Sequence, residues 1–318
     1  MPGRGVSRTL TAPRPAATVL PMHRRGFDVL ANDSLLLATA AIWGFAFVAQ
    51  RAGMEHVGPF TYTAARFALG SLFLLPLVLV RRHTRASAPS SRLHPVKAGL
   101  LAGVVLFGGA VLQQAGLVTT SAGKAGFITG LYVVLVPLAG LAWGERAGWP
   151  RWLAAAMAAA GLYLLSVTGS LAVERGDLLV FLGALFWTAH VLLVGWLAPR
   201  TDPVALACVQ FAVCSVLAAA VALAAEPLAP AAIAAAAVPI GYGGLVSVGI
   251  GFTLQVVAQR RAPAAHAAIL MSLESAFAAL GGWLVLGERL GPRGIGGAVL
   301  MFAGMVVSQL PLFFARRS

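Results

Sequence analysis

Ten apolar runs, each close to the roughly 20 residues that a helix needs to cross a bilayer, make up most of the chain. They fall at 34–53, 60–80, 98–118, 121–143, 150–169, 177–198, 204–225, 236–258, 263–286 and 293–314. Short breaks carrying Gly, Pro or charge separate them, such as "EHVGP", "GERAGWPR", "VERGD", "PRTDP" and "GERLGPRG". Only 10% of the 318 residues are charged and mean hydropathy is +0.86, so water would meet large apolar patches that lipid accepts. The expected fold is an all-α membrane protein with ten transmembrane helices.

The net charge of +13 is then read by position. No polar domain groups aromatic with basic residues, so no nucleic-acid partner is expected. With the amino terminus inside, 17 of the 23 Lys and Arg fall on the cytoplasmic side, five outside, and Arg66 within a run. Both termini are therefore expected in the cytoplasm. Residues 1–32, rich in Arg and Pro and without the apolar core of a signal peptide, read as a disordered cytoplasmic tail. The high Ala, Arg and Gly content suits a bacterium with GC-rich DNA, hence an inner membrane. Cys208 and Cys214 share one run and read as small buried hydrophobes, with neither a disulfide nor a metal site indicated.

The chain also repeats itself. Asp33, Trp43, Pro59 and Phe67 recur 144 residues later as Asp177, Trp187, Pro203 and Phe211. Gly144-Glu145-Arg146 and Gly161 recur 143 later as Gly287-Glu288-Arg289 and Gly304. Five runs thus align on five, giving one half at 33–170 and another at 177–314. An odd number of crossings sends the second half into the membrane from the opposite side, and such inverted repeats are a plan of secondary transporters with the site between the halves.

The Trp43-Gly44 pair, "QQAGL" at 113–117, "GKAGFITGLYVVLVP" at 123–137, the two Gly-Glu-Arg junctions and "SLESAFAALGGWLVLGERL" at 272–290 resemble the EamA-type carriers of the drug/metabolite transporter superfamily. The resemblance runs from about residue 33 to about 312. It implies ten helices in two five-helix inverted repeats, moving small organic solutes without ATP and often outward, and a site lined by helices one, three, four, six, eight and nine. Tyr132, in the second quoted stretch, counts as a substrate-binding residue. Family members commonly carry Pro after the Glu of the "SLE" motif; Ser275 stands there, which removes the proline-driven reason for a helix break beside Glu274.

Polar residues inside apolar runs are the candidate site. Glu274 has no acidic mate in the first half, where Leu131 occupies the aligned place. A carboxylate in the membrane is costly, which points to holding a cationic part of the cargo or taking up a coupling proton; a structural hydrogen bond to Ser272, Ser275 or a neighbouring helix is the plainer alternative. His190, the one histidine well inside a run, suits a proton relay or equally a neutral tie between helices. Arg66 pairs by the repeat with Gln210, and could be the counter-ion of Glu274, a docking group for a cargo carboxylate, or a snorkelling surface group. Gln113 and Gln255 sit in equivalent helices and suit polar cargo, or plain interhelical bonding. Trp43 and Trp187 lie mid-run, away from the interfaces, where their faces could bound a cavity or simply pack. The Gly-Glu-Arg turns read as structural ends of helices, and Gly161, Gly304, Gly296 and Gly297 as points of close helix approach.

The whole reads as a secondary transporter, probable direction export, for a small organic metabolite: an amino acid, a metabolic intermediate or an amphipathic drug-like compound. A proton is the candidate coupling partner, no cofactor or metal is expected, and oligomeric state has no signal. An enzyme is disfavoured because no paired acidic motif, metal cluster or nucleophile beside a base occurs. A nucleotide-driven pump lacks its GxxxxGK[ST] motif. A non-coupled facilitator or channel, or a non-transporting scaffold, remains the alternative.

Overall fold

The computed structural model describes residues 22–84, 93–120, 122–142, 144, 148–166, 174–286 and 291–314. Among these no strand occurs. The first half contributes α1 (Met22–Met54), α2 (Pro59–Thr84), α3 (Pro95–Gly116), α4 (Ala122–Gly130), α5 (Tyr132–Ala142) and α6 (Trp149–Ser166). The second contributes α7 (Arg175–Leu197), α8 (Pro203–Ala225), the short α9 (Pro230–Ala235) and α10 (Ala237–Gly241), a π-helical segment (Tyr242–Phe252), α11 (Thr253–Ala258), α12 (Ala264–Met271), α13 (Glu274–Leu286) and α14 (Pro292–Phe314).

Among the described residues, seven helical stretches are long and apolar enough to cross a membrane: Leu30–Met54, Pro59–Arg81, Pro95–Gly116, Arg175–Arg200, Pro203–Ala225, Ala237–Ala258 and Ala264–Gly281. Two shorter apolar helices, Ile128–Ala142 and Pro292–Ser308, fall in the fourth and tenth runs. The outward faces are apolar too, with Leu72, Phe73, Leu79, Leu101, Val104 and Leu185 all exposed. Only lipid makes that arrangement favourable. α1 starts at Met22, inside the stretch expected to be a tail, because no proline interrupts the chain between Pro21 and Pro59. Residues 1–21 and both Glu-Arg pairs of the Gly-Glu-Arg turns lie outside the described residues.

The tightest packing joins the halves: α6 on α14, α2 on α8, α3 on α7 and α8, and α1 on α13 and the π segment. Exchanging helices for their repeat mates turns α3 on α7 into the π segment on α1, and α3 on α8 into the π segment on α2, and both of these pairs are also packed. Gly161 and Gly304 lie at the α6–α14 crossing, where a Cβ at Gly304 would stand 2.9 Å from the Ala154 carbonyl. Gly296 instead faces open space.

Two helices are broken at equivalent places. The fourth run is interrupted at Leu131 and the ninth at Ser272-Leu273, even though Ser275 replaces the proline. Serine supplies the reason. The Ser272 hydroxyl donates to the Ile269 carbonyl at 2.8 Å, and the amides of Leu273 and Ser275 bond three residues back, to Leu270 and Ser272, instead of four. That tightened turn starts a new helix at Glu274.

Candidate functional site

A cavity opens where the two breaks meet, with about 540 Å³ of empty space inside and in front of it. Glu274 is the first residue of α13 and Tyr132 the first of α5, so both sit at the positive ends of half-helices. The Tyr132 hydroxyl donates to Glu274 Oε1 at 3.3 Å, and both side chains are buried.

The walls are aromatic. Trp43 from α1 and Trp187 from α7 flank Phe252, their ring centres 4.4 and 5.9 Å from its own. Each indole is fixed by its N–H: Trp187 donates to the Gln113 amide oxygen at 2.6 Å, and Trp43 to the Ser247 carbonyl at 3.3 Å. The π segment shapes this wall. Thr39 and Trp43 of α1 both donate to its carbonyls, at Gly251 and Ser247, and Tyr242 donates back to the Ile42 carbonyl at 3.0 Å. Gly251 must be small here, since a Cβ would lie 2.9 Å from the Trp43 indole nitrogen.

Arg66 reaches the cavity from α2 and is only 5% exposed, so it does not snorkel. Its guanidinium lies 4.9 Å from the Phe67 ring centre and 5.6 Å from that of Tyr62. Its Nε has no hydrogen-bond partner, and among the described residues no ion pair joins it to Glu274. Ring faces offset about 0.5–2 kcal/mol, whereas withdrawing a charge from water costs several kcal/mol. The guanidinium is therefore undercompensated.

Seven of the eight residues expected at the site line this cavity: Trp43, Arg66, Gln113, Tyr132, Trp187, Gln255 and Glu274. Gln255 donates to Gln259, which donates to the Val191 carbonyl, leaving the Gln255 amide oxygen unpartnered. His190 is the exception. It stands behind the wall, wholly buried, its ring edge-on to Trp187 and Phe252. Its Nε2 meets the Gln210 amide oxygen at 3.1 Å; since that oxygen only accepts, Nε2 carries the hydrogen and Nδ1 is left without a partner. In this structure His190 ties α7 to α8, the interhelical alternative, and does not line the cavity, while Gln210, the repeat mate of Arg66, makes the other half of that tie.

Sequence reasoning missed Gln50, Thr129, Ser247 and Phe252 in the lining. Gln50 and Thr129 were legible by the same logic as Gln113, being polar side chains inside apolar runs; both are buried with side-chain oxygens that have no partner. It also missed two links that bridge the halves. Asp33 of α1 pairs with His266 of α12 at 2.8 Å, with the Ser308 hydroxyl 3.5 Å from the other ring nitrogen. Asp177 of α7 accepts from the Thr120 hydroxyl, and its second oxygen from the Glu174 amide at 2.9 Å.

The EamA-like transporter family matches the chain twice, over residues 31–167 and 174–309. The chain belongs to that family. This EamA-like chain is 28% identical over 286 residues to an uncharacterized transporter of Archaeoglobus fulgidus, covering 90% of this chain and 88% of that one. It is 29% identical over 266 residues to an uncharacterized protein, PA1977, of Pseudomonas aeruginosa, covering 82% and 88%. A protein of known crystal structure shares the fold with a TM-score of 0.71 at 21% identity, over 90% of this chain and 98% of that one. The EamA-like chain is accordingly a multi-pass membrane transporter of a small molecule, and its cavity is lined by residues from both copies of the family unit.

Proposed function

We propose that the protein is a secondary carrier that exports a small organic metabolite by alternating access, the halves at 33–170 and 177–314 rocking about the central cavity. The observation that carries this reading is an aromatic-walled cavity whose polar groups, Gln50, Arg66, Thr129 and Gln255, are buried with atoms left unpartnered among the described residues. Protein interiors rarely leave such groups unsatisfied, and a passing ligand satisfies them in turn. The reading includes ten membrane crossings in two inverted sets of five, both termini in the cytoplasm and a bacterial inner membrane. The excess of Arg and Lys on the inner loops supports the orientation. Breaks at equivalent points of the fourth and ninth runs support the inverted plan, as half-helix ends at mid-membrane build transporter sites. Glu274, taking up a proton to release cargo, would couple export to the proton gradient.

The test compares cells that overproduce the wild type, Glu274→Gln or neither, by untargeted mass spectrometry of cells and medium at matched membrane levels. A compound that moves to the medium only with the wild type is the expected result. Identical profiles in wild-type and empty cells would overturn the export reading.

A further inference from the structure

Among the described residues no carboxylate pairs with Arg66, the cation that lines the cavity. The acid-capable groups close enough to feel it are the Tyr62 phenol and the Cys214 thiol, both ordinarily neutral, and Glu274 is held by Tyr132 instead. Its Nε has no hydrogen-bond partner, 95% of the residue is out of solvent, and Arg66 is one of the residues that line the cavity. Gln50 lines the same space with its amide oxygen unpartnered. A guanidinium offers a flat fork of N–H donors matched to the two oxygens of a carboxylate.

We propose that Arg66 is the anion subsite of this cavity and that the transported compound is an organic carboxylate with an apolar, ring-bearing body. The carboxylate docks on the guanidinium, with the Gln50 amide free to turn an N–H toward it. The ring lies against Trp43, Phe252 and Trp187, and the far end meets the Glu274–Tyr132 pair, which receives an N–H or O–H of the cargo. This rests on the carrier reading above, in which the cavity is the transport site.

The test uses the purified full-length protein and a matched panel of phenylalkyl carboxylates and their uncharged amides, two to five carbons long in the chain. Binding is followed by quenching of tryptophan fluorescence, to which Trp43 and Trp187 in the wall contribute. The wild type is expected to bind the best carboxylate at least about tenfold more tightly than its amide. Arg66→Gln, which installs the residue the other half carries at this position, is expected to bring that ratio to about one while the amide still binds. Arg66→Lys keeps the charge without the fork and is expected to fall between them. If the Gln variant does not fold, the Lys variant decides: a ratio unchanged from the wild type overturns the proposal. A wild-type ratio near one, or an undiminished ratio in Arg66→Gln, overturns the anion subsite and leaves the carrier reading standing. No binding of any member of the panel removes the cavity as a ligand site, and both readings fall.

Discussion

Position for position, the first half sets Arg66 and Leu131 where the second sets Gln210 and Glu274, while both keep the tryptophan and the aspartate of their first helix. The kept residues do parallel work. Trp43 and Trp187 form opposite sides of one wall, and Asp33 and Asp177 each reach across to the other half. The diverged ones do not. Arg66 enters the cavity while Gln210 stays behind the wall on His190, and Glu274 enters while Leu131 only marks the matching break. Duplication therefore explains the walls and the cross-links, and divergence explains the charges: one cation from the first half and one carboxyl from the second give a cavity with two unlike ends.

The largest expected effect follows from the least symmetric position. Glu274→Gln keeps the size and the Tyr132 contact but removes the ionisable group, and export of the identified compound should fall to the level of cells without the protein. Transport that persists with the same pH dependence would remove Glu274 from coupling. Restoring a carboxylate at the mate, as Leu131→Glu in that background, should not rescue export, because Leu131 is not in the cavity lining. Rescue would show the halves to be interchangeable.

The aspartate pair should separate next. Asp33→Ala leaves the His266 ring nitrogen without its acceptor in a buried site, toward the upper end of the roughly 1–3 kcal/mol that an unsatisfied buried group costs. Asp177→Ala leaves a hydroxyl and a backbone amide unpaired, about 1–3 kcal/mol. Thermal unfolding in detergent should show the larger fall in midpoint for Asp33→Ala, since the Glu174 amide freed by Asp177→Ala lies on an exposed residue; the reverse order would mean that the Asp33–His266 bond is not formed in the membrane protein. Smaller again is the contrast between the indoles. Trp187→Phe frees the Gln113 oxygen and Trp43→Phe a more distant backbone carbonyl, so the first should cost more, within the roughly 0.6–1.7 kcal/mol that buried bonds contribute in membrane bundles. Equal losses would show the two sides of the wall to be equivalent after all.

Much of this was legible in the sequence. Of the ten runs, seven hold helices of membrane-crossing length among the described residues, and the offsets of 143 and 144 residues agree with the two family matches. Isolated polar residues in apolar runs gave most of the cavity. The failures have a common physical source. These helices are apolar on nearly every side, so no amphipathic stripe tells which face turns inward, and Arg66 and His190 could not be oriented from their neighbours. The π segment leaves no clear sequence mark beyond its glycines, yet it decides where Ser247 and Phe252 point. The break at Ser272-Leu273 arises from a serine bond to the preceding turn where proline was the expected cause. Asp33 and His266, 233 residues apart, carry no local signal of their pairing.

His190 offers the finest test of the comparison, because it asks whether the second half spends its polar pair on structure alone. His190→Leu, Gln210→Leu and the double variant form a cycle whose coupling energy should be near 0.6 kcal/mol, the average for a hydrogen bond between membrane helices. Each single variant leaves one buried polar partner unsatisfied, so the double variant should be less destabilised than the sum of the two. Neither should alter the preference for a carboxylate over its amide, since His190 faces the back of Trp187 and Phe252 and not the cavity. If His190→Leu abolished that preference as Arg66→Gln should, the histidine would reach the cargo in another state of the cycle. The second half would then contribute His190 to binding beside Glu274 and Gln255, and the division between a structural pair and a cargo-facing set would fail.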